Sequence, residues 1–103
     1  MELRQLESFR EVVREGSFTA AARNLHMTQP AVSLHVKALE QHLGAKLLHR
    51  EPRGVRTTEA GDVLLGAAET VLSSIVEAER RIQEIESPER GVVMLACGDT
   101  VAL

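Results

Sequence analysis

Gln29, Pro30, Ser33 and Lys37 fall on one side of a stretch whose apolar residues repeat with helical spacing, and Leu34 and Gln41 lie near the edge of that side. A glutamine amide pairs bidentately with adenine in the major groove, a serine hydroxyl donates or accepts at either base type, and a lysine reaches phosphate or guanine. Pro30 and Leu34 supply apolar surface of the kind that meets thymine methyl groups. A merely solvated face would mix Glu with Lys. Further along, Arg53 sits between Pro52 and Gly54, where turn chemistry would hold a guanidinium at a loop tip. A narrow minor groove favours such a group. Arg23, Lys46, Arg50 and Arg56 are candidate phosphate contacts that spacing alone does not rank.

Other constellations are less informative. His35 and His42 share a helix face, but seven residues of rise put them about 10 Å apart, too far for one metal ion. The single cysteine, Cys97, lies within an apolar run, where a buried inert thiol is the expected state. Ser17, Thr28, Ser33 and the histidines form no nucleophile–base pattern, and no glycine-rich phosphate loop is present. No catalytic residue, metal site or cofactor is indicated, so the chain does not read as an enzyme.

The chain has 103 residues, 44% hydrophobic and 26% charged, a composition suited to one globular domain or a domain with an extension. Its net charge of −3 conceals an asymmetry. Residues 1–22 carry −1, residues 23–56 carry +4, and residues 57–103 carry −6. The basic segment holds the residues singled out above. With two phenylalanines and no Tyr or Trp, recognition by stacking bases on aromatic rings is excluded. No apolar run is long enough to span a bilayer, and MELRQLESFR lacks the apolar core of a signal peptide. The expectation is a cytoplasmic protein with no membrane partner.

These residues require helices to position them. Leu6, Phe9 and Val13 give an amphipathic helix from Glu2 to Glu15, stopped at Gly16. Ser17 has N-cap chemistry, and Phe18, Ala21, Ala22 and Leu25 form a second, short stripe. Thr28-Gln29-Pro30 is a helix start, with a capping hydroxyl followed by proline in the first turn. Val32, Val36, Leu39 and Leu43 then face inward, and Gly44 ends the helix. Residues 46–50 and 55–58 read as two strands around a turn at 52–54, a wing carrying arginines. From Thr58 or Glu59 to about Glu86 runs a helix of about 42 Å. Its residues Leu64, Ala68, Val71, Ile75, Ala78, Ile82 and Ile85 are spaced alternately by four and three, a heptad seam that calls for a second helix. Ser87 to Gly91 is a break, and Val92 to Cys97 reads as a buried strand. The fold expected is mainly α: a winged helix-turn-helix of three helices and a two-stranded wing, followed by a long dimerisation helix.

The run from LRQLESFREVV through TAAARNLHMTQPAVS, LEQHLGAKLLHR and RGVRTTEAG into the long helix resembles the LysR-type transcriptional regulators. The resemblance covers about residues 1–86. It implies a DNA-binding domain over 1–58 with its helix-turn-helix at about 18–37, a linker and dimerisation helix over 59–86, and a hinge with the first strand of a truncated effector-binding domain over 87–103. It also implies a homodimer with antiparallel linker helices, or a tetramer, bound to double-stranded DNA at an imperfect inverted repeat under control of a small effector. Carried onto this chain, the base readers are Gln29, Pro30 and Ser33, with Arg53 in the minor groove. Thr28, Leu34, Lys37, Arg56 and Arg23 complete the expected DNA contacts, and Thr100 falls where the effector cleft is lined. Two positions depart from the family's habit: Leu34 stands where many relatives have a polar residue, and Leu48 where phenylalanine is common. The competing readings are another winged-helix repressor family, or a helical protein-interaction module that docks through its long helix.

Overall fold

The computed structural model describes residues 1–87, in the order α1 (Leu3–Glu15), α2 (Phe18–Leu25), α3 (Gln29–Leu43), β1 (Leu48–Glu51), β2 (Gly54–Thr57) and α4 (Glu59–Glu86). The three helices, the hairpin and α4 were all legible as sequence patterns. The expected strand at Val92 to Cys97 and the expected effector contact Thr100 lie outside the described residues. No helix among the described residues is long and apolar enough to cross a membrane.

One compact unit runs from Met1 to Leu72. Its core is built from Leu6, Phe9 and Val12 of α1, Phe18, Ala21 and Ala22 of α2, and Val32, Val36 and Leu39 of α3, closed by Leu47 and Leu48. Phe9, Val12, Val32 and Leu39 are completely buried. Each of these side chains contributes about 1.5–3 kcal/mol through its removal from water. Alanines at 21 and 22 keep α2 thin where it meets its neighbours. Leu43, expected to face inward, is instead 42% exposed, because the stripe on α3 runs past the end of the core at the last helical residue.

Local chemistry sets the helix limits. The Gln5 side chain accepts from the backbone N–H of Glu2 at 3.0 Å, closing the start of α1. Ser17 Oγ accepts from Ala20 N at 3.1 Å, and Thr28 Oγ1 from Ala31 N at 3.2 Å, the caps their side chains suggested. α2 ends at His26, which takes a left-handed φ of 57° and forms the sharp turn into α3.

The wing is an antiparallel pair with Leu48 opposite Thr57 and Glu51 opposite Gly54. It starts two residues later than expected. Lys46 and Leu47 are not strand: the N–H of Leu47 goes to Glu40 Oε2 at 2.9 Å, and its carbonyl accepts from Thr58 N at 3.0 Å. The polar groups of Leu47 are thus used to tie α3 and the start of α4 together. Gly54, expected in the turn, is the first residue of β2. It has a φ of 138°, and a Cβ there would lie 2.8 Å from the carbonyl oxygen of Gly16. Glycine alone lets the wing approach the turn after α1, where Val55 N donates to that same carbonyl at 3.1 Å.

Thr58 caps α4, accepting from Gly61 N at 3.0 Å while its own hydroxyl donates to the carbonyl of Lys46 at 2.6 Å. A Cβ on Gly61 would collide with the carbonyl of Leu47. The first part of α4 therefore packs as part of the winged unit, which extends to Leu72 and not to a boundary at residue 58. Ala68 is completely buried and Leu72 is 5% exposed, with Leu64 and Leu65 half-buried against the same core. This corrects the seven-residue seam. Ala68 is already covered by the chain's own core and is not available to a partner, and Leu64 is largely spent in the same way.

The second unit begins at Ser73 and contains the rest of α4. Ile75, Ala78, Ile82 and Ile85 are exposed there, as is Val71 just before it. Arg80 bridges Glu77 at 2.7 Å and Glu84 at 2.5 Å along the helix surface. The hydrogen bond from Arg80 holds the Glu77 carboxyl below its ordinary range.

Candidate nucleic-acid interface

The first three turns of α3 present the residues singled out by type. Thr28, Gln29 and Pro30 are exposed at its start, Leu34 is 65% exposed, and Lys37 is exposed one turn further on. The opposite face carries Val32, Val36 and Leu39 into the core, so the outward row is fixed by burial of the inward one. Proline in the first turn costs no helical hydrogen bond, which lets an apolar ring stand at the exposed end of the helix.

Ser33 differs from the expectation of a free reader. It is half-buried, and its Oγ accepts a hydrogen bond from Arg50 Nη2 at 2.8 Å. The Arg50 guanidinium lies 4.0 Å from the centroid of the Phe18 ring. One arginine of β1 thus reaches both the first residue of α2 and the outer row of α3. Together with Lys37, Lys46 and His49 these groups line a groove of about 520 Å³ between α3 and β1.

The remaining cations divide by their partners. Arg56 is engaged by Glu51 across the wing, with Nη2 at 2.7 Å and Nε at 2.9 Å from one carboxylate oxygen. That hydrogen bond and the adjacent charge raise the guanidinium above its ordinary pKa. Lys46 stands 3.8 Å from Glu40. Arg23, Lys37 and Arg53 are exposed and make no ion pair among the described residues. Arg53 occupies the turn between β1 and β2, and Arg23 the last turn of α2.

Sequence reasoning missed two contacts. Arg50 carried no signal beyond its charge, since its partners Phe18 and Ser33 are distant in the chain. Ser8 is completely buried on α1 and lies 2.7 Å from His35 Nδ1 on α3. Its position four residues before the buried Val12 was the one available hint.

A capped recognition-type helix beside a two-stranded hairpin with an exposed arginine at its turn defines a winged helix-turn-helix protein. The family model described as "Bacterial regulatory helix-turn-helix protein, lysR family" matches residues 3–62, and the chain belongs to that family. It is 42% identical over 93 residues to the HTH-type transcriptional regulator CfxR of Cupriavidus necator, covering 90% of this chain and 29% of that protein. It is 40% identical over 95 residues to the HTH-type transcriptional regulator TfdT of Cupriavidus pinatubonensis, covering 92% of this chain and 42% of that protein. The chain therefore spans less than half the length of either relative. Among solved structures it is similar to the BenM DNA-binding domain in complex with catB site 1 DNA, with a TM-score of 0.81 and 40% identity over 84% of this chain and 98% of that one.

Proposed function

We propose that this chain is the DNA-binding portion of a cytoplasmic transcriptional regulator that acts as a homodimer or tetramer on an inverted-repeat promoter site. In this reading α3 enters the major groove and the wing turn enters the minor groove. The observation that carries it is the exposed row Thr28, Gln29, Pro30, Leu34 and Lys37 on a helix whose other face is locked into the core. Gln29 reads a base edge, Pro30 and Leu34 offer apolar contact, and Lys37 meets phosphate or guanine. Arg53 supplies the minor-groove cation, and Arg23 a phosphate contact. Arg56 joins them on release from Glu51.

Support for the dimer comes from Val71, Ile75, Ala78, Ile82 and Ile85, apolar residues left exposed along α4 in the single chain. Pairing two such helices fixes the spacing of two recognition helices about a two-fold axis, which is what an inverted repeat demands. Control by a small effector completes the proposal.

The test is selection of bound sites from random duplexes with the wild-type chain and Gln29→Ala. An inverted repeat is expected for the wild type. Gln29→Ala should lose about 1–3 kcal/mol on that site and relax preference at one position in each half. Identical motifs and affinities for both proteins would overturn the placement of α3.

A further inference from the structure

The geometry points to Arg50 as a positioning residue that biases the hydrogen-bonding sense of Ser33, so that the serine meets DNA as a donor in preference to an acceptor. One lone pair is taken by a cation, which strengthens the O–H as a donor and weakens the remaining lone pair. This rests on the reading of α3 as the major-groove helix. A guanidinium has five N–H donors, no acceptor, and no accessible neutral form. Its hydrogen bond to Ser33 Oγ at 2.8 Å therefore assigns the oxygen the accepting role. The hydroxyl proton must then point away from Arg50. It is not consumed inside the helix either, because among the described residues Ser33 makes no bond to a carbonyl one turn back, as Thr70 does with Gly66.

Arg50 is well suited to holding this role. Phe18, whose ring lies under the guanidinium, is 5% exposed and fixed in the core, so the platform does not move. Arg56 and Lys46 are each drawn to a carboxylate, whereas Arg50 has no ion pair among the described residues. Its charge is directed at the ring and the hydroxyl. An unrestrained serine reads donor and acceptor edges alike. Ser33, with one lone pair bound to a cation, donates to purine N7, guanine O6 or thymine O4 more strongly than its remaining lone pair accepts from the amino group of cytosine.

The experiment uses the wild-type chain, Ser33→Ala, Arg50→Met and Arg50→Lys on sites selected from random duplexes. The base pair read by Ser33 is the one whose preference Ser33→Ala flattens. For the wild type, exchanging the two bases of that pair should weaken binding about fivefold, the scale of one hydrogen bond. In Arg50→Met the exchange penalty should shrink at that pair and persist unchanged at the Gln29 position. Arg50→Lys, which keeps a cationic donor, should restore it. Should Arg50→Met fail to fold, Arg50→Gln serves instead, since its amide can turn either its oxygen or its nitrogen to Ser33. A uniform loss of affinity with the exchange penalty intact would overturn the assignment. A wild-type chain that selects no motif would instead overturn the DNA-binding reading, and this inference with it.

Discussion

The hydroxyl of Ser8, buried on α1, lies 2.7 Å from Nδ1 of His35 on α3. The bond ties the recognition-type helix to the first helix from the face opposite its exposed row, and it gives the Ser8 hydroxyl and the His35 Nδ1 atom a partner in a part-buried position. In Ser8→Ala the imidazole nitrogen loses its partner, with an expected cost of about 1–2 kcal/mol. Urea unfolding of the variant checks this. An unchanged midpoint would mean that solvent replaces Ser8 at no cost.

Gly61 and Gly66 should respond in opposite directions to alanine. A methyl at 61 meets the carbonyl of Leu47, which already accepts from Thr58, so backbone must move. Overpacking of this kind costs about 1–3 kcal/mol or more. At 66 nothing lies near the added methyl, and a helix interior gains about 0.5–1 kcal/mol on replacing glycine. Thermal unfolding of the two variants should place them on either side of the wild type.

Glu51→Gln should strengthen DNA binding. It releases Arg56 from its carboxylate and removes a negative charge from the wing. The expected gain is about two- to fivefold, and the dependence of affinity on salt should steepen by about one unit as one more cation engages phosphate. Fold stability should barely change, because the pair is exposed. Binding titrations between about 50 and 200 mM salt provide the comparison. An unaltered slope would mean that Arg56 does not contact the duplex.

Ile75→Glu should separate the proposed dimer. Ile75 is 41% exposed in the single chain, in the middle of the apolar residues that α4 leaves uncovered. A carboxylate there would have to be buried against the paired helix or expelled with it. Analytical ultracentrifugation should show the wild type as a dimer at tens of micromolar and the variant as a monomer of unchanged helix content. Affinity for an inverted repeat should fall with it. A wild-type monomer under those conditions would remove α4 as the dimerisation element.

The sequence alone determined the helices, their limits and the outward row on α3. Ser17, Thr28, Pro30, Gly16 and Gly44 act on their immediate neighbours in the chain, and hydrophobic spacing needs no partner to be read. Contacts between distant residues carried no such signal. The pairing of Arg50 with Phe18 and Ser33, and of Ser8 with His35, exists only because α1, α2, α3 and β1 converge on one core. The heptad seam shows the same limit from the other side. Its spacing is uniform from Leu64 to Ile85, yet Ala68 is buried in the chain's own unit while Ile82 and Ile85 remain exposed. A repeat records that a face must be covered, and only the tertiary packing decides by what, because burial depends on which surface arrives at that face.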